Sequence, residues 1–290
     1  MIRVSLVVST LGRTVQLERL LQSLVLQAFQ DFEVVIVDQN ADDRLKAIVE
    51  AYCGRLDIVR TTSARGVSRG RNSGLAIARG DIVAFPDDDC WYPVSLLQDV
   101  VALFDARPEL DLVSGRTVDA SLADSLGSHL KQRQPIRRHN IWRIGNSNTI
   151  FLRAQEHLYF DETLGVGCPT EFQSGEETDF LLRLLKRHLN MEFHPALLVH
   201  HDQVDLRGAE DGVARARQYA PGQGRVLRLH GFGPATALWF ALRPVARACV
   251  AAATGDVPLA RYKLAWAHGV AAGYLAPVPR TAARELQSTA

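Results

Sequence analysis

Cysteine is scarce in this 290-residue chain, and what there is lies scattered at Cys53, Cys90, Cys168 and Cys249, with no C-x-x-C pair. That spacing excludes a thiolate zinc knuckle and gives no disulfide framework, so the sequence fits a reducing compartment. Charge imbalance is also missing. The formal net charge is +1, which leaves no electrostatic footprint for nucleic-acid binding. The opening Met1-Ile-Arg-Val-Ser-Leu-Val-Val-Ser9 is too short an apolar run for a signal peptide, and no small-residue cleavage site follows it. No uninterrupted apolar run has the length needed to span a bilayer. Both glycine-rich phosphate signatures, G-x-x-x-x-G-K-[ST] and G-x-G-x-x-G, are absent. What remains is ordinary for a globular protein with a sizeable core: 47% hydrophobic and 22% charged residues.

The first half alternates two periodicities. Arg3–Ser9, Glu33–Asp38, Asp57–Thr61 and Asp81–Phe85 are short β-branched runs. Between them lie helical patterns, at Leu17, Leu20, Leu21, Leu24 and Val25, over Ala41–Cys53, and over Val67–Ala78. Strands alternating with helices predict βαβ units and a mostly parallel, Rossmann-like sheet. In such a sheet, ligands bind beyond the carboxyl ends of the strands. Three polar loops fall there: Thr10–Arg13, Asp38–Asp43 and Asp87–Tyr92. The last carries Asp87-Asp88-Asp89, three adjacent carboxylates that repel one another unless a cation or solvent compensates. Read alone, the triplet is either half of a cation site or a solvated turn that caps the following helix.

The segment Arg65-Gly-Val-Ser-Arg-Gly-Arg-Asn-Ser-Gly74 places Arg65, Arg69 and Arg71 within seven positions. Guanidinium forks match phosphate oxygens, and Gly66 and Gly70 permit close backbone approach. The alternative is a solvated basic helix face.

Four stretches occur together in an order and spacing that resembles the family 2 glycosyltransferases: Val7-Val-Ser-Thr-Leu-Gly-Arg13, Val37-Asp-Gln-Asn40, Gly70-Arg-Asn-Ser-Gly74 and Asp87-Asp-Asp89. The resemblance covers roughly residues 2–202. It implies a GT-A fold and a nucleotide-diphosphate sugar donor. It implies that Thr10, Arg13 and Asp38 line the nucleoside pocket and that Arg71 supports that pocket or the diphosphate. Asp87 and Asp89 then form the D-x-D pair, with Asp89 the direct ligand of Mg²⁺ or Mn²⁺, Asp87 nearer the ribose and Asp88 beside them. Gln39-Asn40 stands where many members have Asp-Gly-Ser, which bears on base selectivity.

A second acidic stretch is Ser174-Gly-Glu-Glu-Thr-Asp-Phe180. Sugar transfer needs a base for the acceptor hydroxyl, and a carboxylate serves. Attack opposite the leaving group inverts the anomeric centre. Ser174-x-x-Glu177 also matches a helix capping box, and Asp179 also has Arg183 one turn on. The resemblance, in which Glu-Asp is usual with the aspartate as base, assigns the role to Glu177, with Glu176 second and an exposed Asp179 third. Glutamate in place of aspartate extends the carboxylate by about 1.5 Å.

The run Glu192–His201 reads as a strand ending in two histidines, and neutral imidazole completes ion ligand sets. Family members often carry a metal-ligating histidine at this strand's end. Ala196, Leu198 and His200 share one face by the period of two, which assigns the ligand to His200 with His201 as alternative. Gly145–Leu152 reads as a further strand. Residues 121–140 read as a long polar surface loop, near which the resemblance places acceptor recognition.

After residue 202 the composition changes. Arginines and glycines punctuate 206–230. Two apolar stretches follow, 234–253 and 259–275, and Pro244 is expected to kink or break the first. The predicted organisation is a GT-A domain over 1–204 and a helical extension over 205–290. The extension carries basic residues on apolar helices, a pattern shared by in-plane membrane helices and by dimer interfaces. The expected function is inverting transfer of a hexosyl-type sugar from a nucleotide-diphosphate donor to a glycan or lipid-linked acceptor in bacterial-type envelope or exopolysaccharide assembly. The expected location is the cytoplasm, at the inner face of the cell membrane or free of it. The rival readings are a sugar nucleotidyltransferase, disfavoured because no lysine precedes Lys46, and a non-catalytic glycan- or membrane-binding module.

Overall fold

The computed structural model describes residues 2–144, 146–203 and 209–278, with the side chains of the third segment described from residue 212 onward. The predicted boundary at 204/205 and the predicted strand's first residue, Gly145, lie outside the described residues. In chain order the elements are β1 (Val4–Thr10), α1 (Val15–Val25), β2 (Phe32–Asp38), α2 (Lys46–Tyr52), β3 (Asp57–Thr62), α3 (Val67–Leu75) and β4 (Ile82–Ala84). Then come β5 (Cys90–Trp91), α4 (Leu96–Ala106), β6 (Leu112–Val118), β7 (Gln134–Pro135) and β8 (Ile150–Arg153). The chain continues through α5 (Glu176–Lys186), β9 (Met191–His201), α6 (Ala209–Leu229), α7 (Pro234–Ala253) and α8 (Val257–Leu275).

The strands form one mixed sheet in the order β3-β2-β1-β4-β8-β6-β9-β5, with β7 added beside β9. The β3, β2, β1 and β4 ladders are parallel, as the alternating periodicities require. Beyond β4 the sheet changes character. β8 runs antiparallel to both β4 and β6, and β5 antiparallel to β9. The core of the parallel half is read directly from the apolar stripes. Leu17, Leu20, Leu21 and Leu24 of α1 are buried with Val4, Leu6, Val8, Val34 and Ile36. Burial of one such leucine is worth about 1.5–3 kcal/mol, so these stripes fix which helix face meets the sheet.

Glycine sets how closely α3 approaches. A Cβ on Gly74 would come within 2.3 Å of Val7, and one on Gly70 within 2.1 Å of the Ser9 hydroxyl. Gly70 therefore serves helix-on-strand packing, where the sequence read it as room for a phosphate.

Two compact units emerge. One comprises Met1–Tyr159 with His188–Val204, the other Phe160–Arg187 with Asp205–Ala290. The expected 1–204 domain is thus interrupted, because α5 and the loop before it pack with the C-terminal helices. Within that second unit, Phe160 stacks on Phe180 at 4.4 Å, Arg225 lies over the Phe172 ring, and Gly222 abuts the Ser174 backbone. α6 and α8 meet through glycines, with Gly224 facing Val270 and Gly273 facing Pro221.

Several expectations are corrected here. Pro244 does not break α7, which runs continuously from Pro234 to Ala253; α6 likewise contains Pro221. Residues 121–140, read as a polar surface loop, include a short strand: β7 pairs with β9, and Asp124 accepts from Arg116 at 2.7 Å and from Lys131 at 2.6 Å. One described helix, α7, is long and apolar enough to cross a membrane by length and composition, although the sequence showed no uninterrupted run.

Candidate active site

The site is built at the carboxyl ends of β1, β2 and β4. Parallel register places Thr10 opposite Asp38, and β4 ends just before the aspartates. After β4 the chain turns at Asp87, whose carbonyl accepts from the Cys90 amide at 3.2 Å, and enters β5. The turn displays the three carboxylates to different partners: Asp87 to Arg71, Asp88 to Arg13, and Asp89 to Arg13 and His201.

Asp87 meets Arg71, at 3.1 Å, while the same guanidinium donates to the Ser147 hydroxyl at 2.8 Å. Arg71 itself is buried, so α3 turns this one arginine inward while Arg65 stays exposed. Arg13 reaches the other two: its Nη1 lies 2.6 Å from Asp88 Oδ1 and 2.6 Å from Asp89 Oδ2. The His201 Nε2 stands 3.4 Å from Asp89 Oδ2.

The protonation of the cluster follows from this unequal company. Burial pushes Asp87 up to about 6, against the pull of Arg71 and with further help from Asp89 and Asp88. Burial also raises Asp88, with Arg13 opposing. For Asp89, burial is outweighed by the hydrogen bond from His201 and the charge of Arg13, which hold the carboxyl below its ordinary value. Burial would lower the His201 imidazole, but its bond to Asp89 raises it overall. Two guanidiniums and the His201 imidazole face three carboxylates, so the turn carries one negative charge in surplus when the imidazole is neutral.

His201, not His200, is the histidine at the aspartates. The period of two holds along β9, but Leu197, Val199 and His201 take the buried face, and Leu197 and Val199 join the core. His200 points the other way and stacks on Trp91, with ring centroids 5.3 Å apart, as directly opposed residues on a ladder do. Arg19 covers the other side of this arrangement. Its guanidinium lies 4.0 Å from the Trp91 ring centroid and donates to the Asp89 carbonyl at 3.0 Å.

Asp38 is buried and engaged on both oxygens. Arg60 donates to Oδ2 at 2.7 Å, and the Asn40 amide and side chain donate to Oδ1 at 2.9 and 2.8 Å. Asn40 in turn accepts from the Gly12 amide at 2.7 Å, and Gln39 donates to the Ala64 and Gly66 carbonyls. Gln39-Asn40 therefore ties together the loops that follow β1, β2 and β3. Thr10 is buried, and its hydroxyl helps to hold the Asp88 carboxylate against the cost of burial.

Sequence reasoning missed Arg19, Arg60 and Ser147. Each is an ordinary surface-type residue in its own segment and gains meaning only from a partner at least 22 positions away.

The acidic stretch of α5 belongs to the second compact unit. Its helix starts at Gly175, whose φ of 92° suits glycine, and the Ser174 hydroxyl donates to the Tyr219 carbonyl instead of capping. The capping box is thus not formed. Asp179 is buried, where exposure was expected. Arg183 donates to its Oδ2 at 2.8 Å, and His230 Nε2 lies 2.8 Å from its Oδ1. With both oxygens held, Asp179 is a structural ion pair. Glu176 is buried and Glu177 half-buried on the helix's first turn.

The chain matches the model of glycosyl transferase family 2 over residues 5–164. Curated relatives include an uncharacterized glycosyltransferase of Haemophilus influenzae, 26% identical over 63% of this chain and 62% of that protein. They also include the poly(ribitol-phosphate) beta-N-acetylglucosaminyltransferase TarS of Staphylococcus aureus, 34% identical over 42% of this chain and 23% of the relative. The chain thus spans less than two-thirds of these relatives' length. Among solved structures, S. aureus TarS 1-349 in complex with UDP-GlcNAc aligns with a TM-score of 0.60, at 19% identity, over 90% of each chain. The mannosyltransferase PcManGT of Pyrobaculum calidifontis with GDP-Man and Mn2+ aligns with a TM-score of 0.57 at 19% identity, over 99% of this chain and 79% of that one. At that identity the structural matches establish a shared GT-A fold. The strand-end site and the family match over more than half of the chain lead to one conclusion: this chain belongs to glycosyl transferase family 2.

Proposed function

We propose that the chain moves a sugar from a nucleotide-diphosphate donor to an acceptor hydroxyl with inversion, aided by a divalent metal ion. The observation that carries this reading is the clustering of three carboxylates on the Asp87–Asp89 turn, set at the strand ends beside His201 and the buried Thr10. Among the described residues, no three His, Cys, Asp or Glu side chains form a ready-made metal cage. The donors that are present, carboxylate oxygens of Asp89 and Asp87 with imidazole nitrogen of His201, suit Mg²⁺ or Mn²⁺ shared with substrate phosphates. A bound ion would supply charge stabilisation for the departing diphosphate. Arg13, which now spans Asp88 and Asp89, and Arg71 are the fixed cations available to the same phosphates.

Glu177 is the proposed base for the acceptor hydroxyl, with Glu176 as the alternative. The full engagement of Asp179 favours these two over it. UDP-sugars are the first donors to test, since TarS is described with UDP-GlcNAc, and GDP-mannose the second. Envelope-type acceptors are favoured by relatives named for poly(ribitol-phosphate) and for an undecaprenol-linked glycan.

The test is a panel of nucleotide sugars screened for thermal stabilisation with and without Mn²⁺, because a ligand of the native state raises the midpoint. The reading expects a metal-dependent rise with one donor class, followed by release of nucleoside diphosphate. Release of pyrophosphate, or no donor response in the presence of metal, would overturn it. Replacing Glu177 by Gln is expected to keep donor binding while slowing transfer by about 10²–10⁴-fold. Undiminished transfer in that variant would move the base to Glu176.

A further inference from the structure

α7 is built inside out. The residues it buries are alanines, Ala237, Ala248 and Ala251, and Ala248 and Ala251 pack with Ala260 of α8. Four of its large apolar side chains point to solvent: Leu238, Trp239, Leu242 and Val250 are between 52% and 66% exposed, while Phe240 and Val245 are half-buried. A helix of a soluble protein places such residues against its core. Here they form a continuous outward stripe, since positions 238, 239, 242, 246, 249, 250 and 253 fall on one side at 100° per residue.

Charge borders that stripe. α7 and α8 contain no aspartate or glutamate but carry Arg243, Arg247, Arg261 and Lys263. Among the described residues none of these four takes part in an ion pair. Arg243 and Arg247 are exposed on one flank of α7. Burial, and then the nearness of Arg247 and Arg243, lower the Lys263 ammonium, so the three cations are neighbours. A group of unpaired cations beside exposed Trp, Leu and Val needs both an anion and an apolar phase.

We infer that this face of α7 docks in the plane of a lipid bilayer whose surface carries anionic headgroups. Trp239, Leu238, Leu242 and Val250 enter the acyl boundary, and Arg243, Arg247 and Lys263 meet the headgroups. In-plane docking, rather than spanning, follows from the alanine face that α7 commits to α8 and from the arginines within its length. A second copy of the chain is the poorer occupant. A two-fold contact sets a patch on itself, which would bring the cations together without an anion.

Vesicle flotation of the full chain tests this. The wild type should float with vesicles of phosphatidylcholine mixed with phosphatidylglycerol, less with phosphatidylcholine alone, and less again at high salt. The double variant Trp239→Ser/Leu242→Ser should lose about tenfold or more in partitioning. The double variant Arg243→Glu/Arg247→Glu should lose the preference for phosphatidylglycerol. All four side chains are exposed, so both variants should unfold at the wild-type temperature, and donor binding should be unchanged. Failure of the wild type to float with either vesicle overturns the inference. So does a wild-type dimer in light scattering that Trp239→Ser/Leu242→Ser turns monomeric without any vesicle binding, which would assign the face to a second copy.

Discussion

The chain has two acidic clusters, and they are resolved in opposite ways. Asp87-Asp88-Asp89 sits on a turn after a parallel strand. Its partners are Arg13, Arg71 and His201, drawn from three other parts of the chain, and with the imidazole neutral they do not cancel three carboxylates. Glu176-Glu177-x-Asp179 opens a helix. There Asp179 has two basic partners, Arg183 one turn on and His230 just after α6. A carboxylate with both oxygens held by fixed donors contributes stability and has no valence left for a substrate. A cluster left with surplus charge costs stability until a cation or a ligand arrives, which is the usual mark of a site that binds something.

Substitutions can break this contrast. Asp89→Ala removes the one carboxylate that touches both Arg13 and His201. It is expected to cut transfer by at least about a thousandfold and to abolish metal-dependent donor binding in calorimetry, with the fold retained. Donor affinity equal to the wild type would end the assignment.

Asp179→Ala should do the reverse, leaving Arg183 and His230 without their carboxylate at a cost of about 3–5 kcal/mol in denaturant unfolding. The pH dependence of this pair has a definite sign. Burial alone would raise the Asp179 carboxyl, but His230 and Arg183 hold it below its ordinary value. Its contribution is therefore complete above the unfolded pKa near 3.8, and is lost as pH falls through the lower folded value. In Asp179→Asn this part of the acid limb should be missing from a plot of stability against pH.

The two adjacent histidines separate more finely. His201→Ala should weaken Mn²⁺-dependent donor binding by about tenfold or more, measured by titration calorimetry. His200→Ala should leave metal affinity unchanged and lose only its stacking on Trp91, about 0.5–1.5 kcal/mol in thermal unfolding. Equal effects on metal binding would remove the distinction.

The smallest expected effect is a gain. Asp87 is raised to about 6, so in metal-free buffer it destabilises the fold as pH climbs from its ordinary value through 6. Asp87→Asn should stabilise the protein by on the order of 1 kcal/mol at neutral pH in the presence of chelator, allowing for partial exposure. A loss of stability would mean that its bond to Arg71 outweighs the burial.

Much of the first unit was legible in advance. β1, β2, β3 and α1 follow from their apolar periods, and the aspartate turn follows from its strand. What failed has a common form. Period alone places Ala196, Leu198 and His200 on one face of β9 but leaves open which face meets the core. Leu197 and Val199 decide that, and they carry His201 with them. Asp179 has a visible partner in Arg183 but an invisible one in His230, 51 positions away. α7 was legible as apolar and basic. That Ala248 and Ala251 would face inward and Trp239 outward depended on α8, whose Ala260 packs with those two alanines.

The sequence by itself determined the alternating α/β order, the family and the positions of the strand-end loops, because these rest on local period and on short motifs in fixed order. Only the tertiary structure decided which cation meets which carboxylate, which of two adjacent histidines reaches Asp89, and where α5 belongs. Those outcomes are contacts between residues tens to hundreds of positions apart. They are set by strand register, by the face each element buries and by the closeness that Gly70, Gly74, Gly222 and Gly224 permit, and none of these is a property of any one segment.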